Sequence, residues 1–254
     1  MLKRIIITTL FCLLSGSLFG AYFYFVHGLV RERSAQETFR SLDILIVDSL
    51  ENSLISSSEV KERLAQWRFE GLCDSINLNS LESAVRGFGE VADAEAFRTG
   101  NGHIAIVLSQ RKPVVRLLSR GGSYYSDDRG FLFPVCHYTD VPMVTGEIPI
   151  AADSCITALS PQQRKWLDGI ISLSEYISGH NYWKDAIEQI DISPGGDITL
   201  YVKGIRQSVI FGGADDIEAK FDKLEAFCRN ILPNAEDKHY SIVNLKYDNQ
   251  IICK

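Results

Sequence analysis

Five histidines, two pairs of adjacent aspartates, one glycine-rich run and six cysteines are the features of this 254-residue chain whose chemistry could serve catalysis or metal binding. His27, His103, His137, His180 and His239 stand singly, with no second histidine four positions on and no cysteine pair at zinc spacing. Asp127-Asp128 and Asp215-Asp216 offer neighbouring carboxylates. Adjacent acids in turns or at helix starts ordinarily serve as caps and solvated charges, not as an acid and a base aimed at one reacting atom. Gly100-Asn101-Gly102-His103-Ile104-Ala105 formally fits the dinucleotide fingerprint. That fingerprint works only where the glycines open a helix whose first amides face a pyrophosphate. Here an alternating strand pattern follows, which predicts a hairpin turn. No catalytic, cofactor-binding or metal-binding residue is therefore expected, and the protein is read as a non-enzyme that needs no cofactor. A site gathered from residues distant in sequence would leave no such trace, so an anchored cell-wall hydrolase stays open as an alternative.

The element expected to position the whole chain is near its start. Ile5 to Val26 runs without a charge, and about 20 such residues at roughly 1.5 Å each span a hydrocarbon core of about 30 Å. Lys3 and Arg4 precede it and Tyr22 and Tyr24 lie near its far end, as for a helix with a basic cytoplasmic flank and an aromatic interfacial belt. The expectation is a single-pass inner-membrane protein: cytoplasmic tail 1–4, transmembrane helix 5–26, linker 27–38 and an extracytoplasmic body. A cleaved signal peptide is the rival, with small residues around Ser17 and Ala21, but the apolar run continues beyond a signal core of about 7–15 residues.

The 26 basic residues face 32 acidic ones, a net charge of −6, and Lys3 and Arg4 precede the anchor, so the body is more acidic still. Nucleic acid is not an expected partner, and membrane contact is assigned to the anchor alone. Cys73, Cys136, Cys155, Cys228 and Cys253 lie outside the anchor without CxxC spacing. A bridge such as Cys136–Cys155 is open in an oxidising compartment, but buried free thiols are the leading expectation.

The body divides by pattern into an α+β domain over 39–112 and a β-rich domain over 113–254. In the first, Leu42 to Val47 reads as a strand, Ser56 to Glu59 as a capping box ahead of Val60, Leu64 and Trp67, and Asn79 to Glu82 as a second cap ahead of Val85 and Phe88. Val91 to Arg98 and His103 to Ser109 form the hairpin. In the second, short runs from Val114 to Val135 predict a meander, and Ser160-Pro161-Gln162-Gln163 starts a helix carrying Trp166, Ile170, Leu173 and Ile177. Strands at 187–192, 197–203 and 206–211, a helix through Ile217 to Ile231 and a last strand from Tyr240 to Tyr247 complete a predicted antiparallel sheet with flanking helices.

That last strand carries the candidate site. A terminal strand with an open edge leaves main-chain donors and acceptors for β-augmentation by a partner. Alternation puts Val243, Leu245 and Tyr247 on one of its faces, and these three are the candidate partner-binding residues. The alternative for Tyr247 is packing on the 216–231 helix.

Arg111-Lys112-Pro113-Val114, Tyr124-Tyr125-Ser126-Asp127-Asp128-Arg129-Gly130, Val141-Pro142-Met143-Val144-Thr145-Gly146, Gly212 before the Lys220 helix and Asn244-Leu245-Lys246-Tyr247 occur in an order and spacing that resembles the bacterial division family FtsQ/DivIB. The resemblance implies an anchor, a POTRA-like (polypeptide-transport-associated) domain and a C-terminal β domain. It implies a non-enzymatic divisome scaffold at the septum, linking the division ring to septal peptidoglycan synthesis through FtsB-like and FtsL-like bitopic partners. It also implies that Tyr247 stands where the family's partner-contacting tyrosine does, although Asn244 and Lys246 replace the usual Asp and Arg. A POTRA-bearing export or outer-membrane assembly component is the runner-up, disfavoured by the single such unit and the absence of a barrel pattern.

Overall fold

The computed structural model describes residues 20–22, 24, 37–48, 53–67, 69–119, 121–150, 159–234, 240–248 and 250–254. Of the predicted membrane segment, 20–22 and 24 are helical and the rest lies outside the described residues. No helix among the described residues is long and apolar enough to cross a membrane. The chain forms two compact units, one of residues 1–49 and 55–110, the other of residues 50–54 and 111–254.

In the first unit β1 (Ser41–Ile46) pairs in parallel with β3 (His103–Gln110), which pairs antiparallel with β2 (Val91–Gly100), giving the order β1-β3-β2. Strict alternation along β3 buries Ile104, Ile106 and Leu108 on one face. Against them pack Val60 of α1 (Ser57–Arg63), Leu64 just beyond it, and Leu81 and Val85 of α2 (Leu78–Arg86). Side chains of this size contribute about 1.5–3 kcal/mol each when fully buried, more than any cap, so packing fixes the helices and caps fix their ends. The Ser56–Glu59 capping box forms as expected. The second cap does not: Asn77, not Asn79, accepts from the Ser80 amide, because Glu82 is drawn away to the Ala96 amide at 2.9 Å and helix α2 starts one residue after Asn77. The β2–β3 hairpin turns through Asn101 and Gly102 at φ 54° and 80°, the two left-handed positions of a type I′ turn that Asn-Gly adopts readily. The glycine-rich run is thus a turn between strands.

The second unit holds a nine-stranded sheet built from β4 (Pro113–Ser119), β5 (Gly122–Asp127), β6 (Leu132–Pro134), β7 (Met143–Gly146), β8 (Ile187–Ile192), β9 (Ile198–Val202), β10 (Ser208–Gly212), β11 (Ile242–Asn244) and β12 (Ile252–Cys253). Its order is β12-β11-β10-β9-β8-β7-β4-β5-β6. Expected to be antiparallel, the sheet is mixed: β4 with β7, β7 with β8 and β10 with β11 run parallel. For β7–β8 and β10–β11 the reason lies in the connections, whereas the chain reaches β7 from β4 by way of β5 and β6. Helix α3 (Pro161–Gly179) and the short α4 (Trp183–Ala186) lie between β7 and β8, α5 (Ile217–Ala226) lies between β10 and β11, and a helical crossover returns the chain in the same direction.

Helix α3 starts where the sequence predicts, with Ser160 and Gln163 completing a capping box around Pro161. It buries Leu167, Ile170, Ile171, Leu173 and Ile177 against Val144, Ile190, Ile192 and Leu200. Helix α5 adds Phe221 and Leu224, passes into a π-helical turn at Phe227–Ile231, and stacks Phe221 on Tyr176 at 4.8 Å between ring centroids. The Val-Pro-Met-Val-Thr-Gly motif forms central strand β7 and ends at Gly146, whose φ is 92° and where a Cβ would collide with the Ile192 carbonyl.

Candidate functional site

At the β12 margin of this sheet the chain reverses on itself. Strand β11 lies parallel to β10, Val209 opposite Val243, and on its other side β12 returns antiparallel with Cys253 opposite Val243 and Ile252 opposite Asn244. Lys254 and Ile242 exchange both main-chain hydrogen bonds at 3.0 Å, and the Ser241 amide donates to the Lys254 oxygen at 2.6 Å. The predicted 240–247 strand with a bare edge is therefore corrected: β11 is three residues long and residues 252–254 cover its outer side. The outermost strand is β12, and no described strand lies beyond it. Antiparallel pairs alternate between hydrogen-bonded and non-bonded. Because Ile242 and Lys254 form a bonded pair, Cys253 turns its amide and carbonyl away from β11, towards the open side.

Val243 and Leu245 are completely buried in the core, as their shared face predicts, whereas Tyr247 leaves the strand and keeps 49 % of its surface exposed. The segment carrying Tyr247 is pinned at several points. The Leu245 amide donates to the Ile210 carbonyl at 2.9 Å, and the Lys246 amide donates to Asn244 Oδ1 at 3.0 Å. Lys246 Nζ reaches Asp197 Oδ2 at 2.7 Å, a contact that raises the lysine's pKa. Its aliphatic stem crosses Gly212, where a Cβ would stand 2.6 Å from Lys246 Cγ. From α5, Lys223 Nζ donates to the carbonyls of Leu245 at 2.8 Å and Tyr247 at 2.9 Å. Tyr247 meets α5 through its backbone, with its side chain half in solvent. Strand β12, Lys223 and Asp197 were not anticipated. Ile251-Ile252 after a polar break was the only sign of β12, and nothing local marks the other two.

The remaining chemically interesting residues do not converge. His103 Nδ1 lies 2.7 Å from Ser41 Oγ in the first unit. In the second, the Tyr125 hydroxyl donates to the main-chain carbonyl of His137, and His180 Nδ1 accepts from the Tyr182 and Trp183 amides after α3. His27 and His239 lie outside the described residues. Asp127 is buried and bound by Arg111, while Asp128 is exposed. Asp215 pairs with Lys220 at 3.1 Å, and Asp216 is the left-handed residue that precedes α5. Among the described residues no group of three or more His, Cys, Asp or Glu side chains is placed to hold a metal ion. Cys73 is buried and Cys228 and Cys253 are half-buried, but Cys136 is an exposed thiol, contrary to the expectation of burial; Cys155 lies outside the described residues. A cavity of about 400 Å³ beside β7 and β8 has Ile177, Ile187 and Ile190 among its walls and Asp140, Lys184, Asp185 and Glu188 on its exposed rim, with no His or Cys.

A family model described as "FtsQ/DivIB, C-terminal related" matches residues 112–254. The chain belongs to the FtsQ/DivIB family, a non-enzymatic family of cell-division proteins. The match covers β4 to β12 and so includes the whole margin just described. No curated protein matches the chain.

Proposed function

We propose that this protein is a divisome scaffold that docks a partner division protein on the outer edge of β12, beside Tyr247. The carrying observation is the margin itself: the second unit's sheet ends on a two-residue strand whose pairing with β11 turns the Cys253 peptide groups outward, and the segment after β11 carries the exposed Tyr247, whose main-chain carbonyl accepts from Lys223. An incoming strand satisfies those peptide groups, and an aromatic anchor adds side-chain specificity. The buried Val243 and Leu245 act beneath the site, holding the margin to the core.

In this reading residues 5–26 anchor the chain in the inner membrane, residues 39–112 are a POTRA-like domain and residues 113–254 carry the docking margin outside the cytoplasm. The partners are FtsB-like and FtsL-like bitopic proteins, through which the scaffold links the division ring to septal peptidoglycan synthesis. Depletion gives filamentous cells, and a fluorescent fusion collects at mid-cell. Normal division and diffuse envelope fluorescence would both count against the role.

A further inference from the structure

Two lysines of α5, Lys220 and Lys223, and Lys246 of the Tyr247 segment itself have their ammonium groups neutralised differently. Lys220 meets Asp215 at 3.1 Å and Lys246 meets Asp197 at 2.7 Å. Lys223 has no carboxylate within ion-pair distance among the described residues, and its two hydrogen bonds go to main-chain oxygens, those of Leu245 and Tyr247. Those oxygens are two residues apart, on either side of the point where the chain leaves the sheet. A single ammonium with three donors can hold both at once. Nothing in β10 replaces it there, because the β10–β11 ladder ends at the Leu245 amide.

We infer that Lys223 is a positioning residue for partner docking, and that it fixes where Tyr247 stands relative to the β12 edge. The inference rests on the reading of Tyr247 as a partner contact and adds the residue that sets it in place. An exposed tyrosine on an unpinned segment loses conformational entropy when it binds, whereas a pinned one has lost it beforehand. Lys223 lies on the α5 face turned towards the margin, so its effect reaches the partner through the Leu245 and Tyr247 carbonyls. Arginine in its place keeps donors and charge; methionine keeps length and apolar stem but removes both.

Two measurements on the full-length chain test this together: hydrogen exchange across 244–250, and affinity for the chain's own FtsB homologue. Lys223→Met is expected to accelerate exchange of 244–250 while leaving β8 and β9 unchanged, and to weaken capture about tenfold, the cost of ordering a freed side chain on binding. Lys223→Arg is expected to restore most of both. Unchanged exchange in Lys223→Met overturns the positioning role whatever the partner does. Faster exchange with unchanged affinity also overturns it, and Tyr247→Ala then separates the causes. If Tyr247→Ala weakens capture, only the role of Lys223 falls. If it does not, the docking site itself is wrong.

Discussion

Arg111 Nη1 donates to Asp127 Oδ2 at 2.8 Å, joining residues from two sequence motifs that lie sixteen positions apart. Both side chains are largely buried, and the guanidinium also stands 3.6 Å over the Phe131 ring centroid. The other carboxylate oxygen of Asp127 accepts the Arg129 and Phe131 amides and so shapes the β5–β6 turn. One carboxylate thus ties Arg111, at the start of the second unit, to the β5–β6 turn.

Removing Asp127 breaks a buried ion pair and takes the carboxylate acceptor from the Arg129 and Phe131 amides. Asp127→Ala is expected to destabilise the second unit by about 3 kcal/mol, and Asp127→Asn by less, because an amide oxygen can still accept from the turn amides. Urea denaturation followed by tryptophan fluorescence measures both. Equal losses in the two variants would mean that the turn does not depend on Asp127's amide contacts.

Ser160→Ala removes the side-chain acceptor of the Gln163 amide at the head of α3. The expected cost is about 1 kcal/mol, well below the loss from truncating a buried residue of the same helix such as Ile170. A thermal-melting comparison of Ser160→Ala with Ile170→Ala checks the order.

How far the sequence carries the fold depends on whether the signal is local. Helix α3 was legible because Ser160, Pro161 and Gln163 perform their roles within one turn. The Asn-Gly hairpin was legible for the same reason. The α2 cap was misplaced because Asn77 and Asn79 both suit a cap, and the choice is decided by Glu82 reaching Ala96 across fourteen positions. The parallel β7–β8 and β10–β11 pairings depend on which strand a helix returns beside, which no local pattern records. At the candidate site, Val243 and Leu245 were correctly placed on one face. The covered edge of β11 was missed because β12 is only two residues long and follows a polar break.

The Asp215 carboxyl is held below the ordinary range chiefly by its hydrogen bond from Lys220. A depressed carboxyl contributes stability above its unfolded pKa, near 4, and loses it as pH falls through the lower folded value. Asp215 is 71 % exposed, so solvent screening keeps the contribution to about 0.5 kcal/mol or less. The stability gap between the native chain and Asp215→Asn is expected at pH 7 and should close towards pH 2. A gap that widens on acidification would contradict this sign.

Burial pushes the thiols of Cys73, Cys228 and Cys253 up, whereas Cys136 is exposed. Thiolate is the reactive form. Among these four, Cys136 is therefore expected to be alkylated first by iodoacetamide at pH 8 in the folded protein, the half-buried Cys228 and Cys253 more slowly, and the buried Cys73 last. Peptide mass mapping reads the order.

A partner strand is predicted to be accepted on the outward side of β12, with Tyr247 as its side-chain anchor. Proline at Cys253 removes the outward-facing amide while the Ile242–Lys254 pair that closes the ladder keeps its own donors. The decisive measurement is the affinity of the full-length chain for its FtsB homologue in native, Tyr247→Ala and Cys253→Pro forms, each checked for native melting. Both variants are predicted to bind at least about tenfold more weakly; native-like affinity in both, with the fold intact, would contradict docking at this edge.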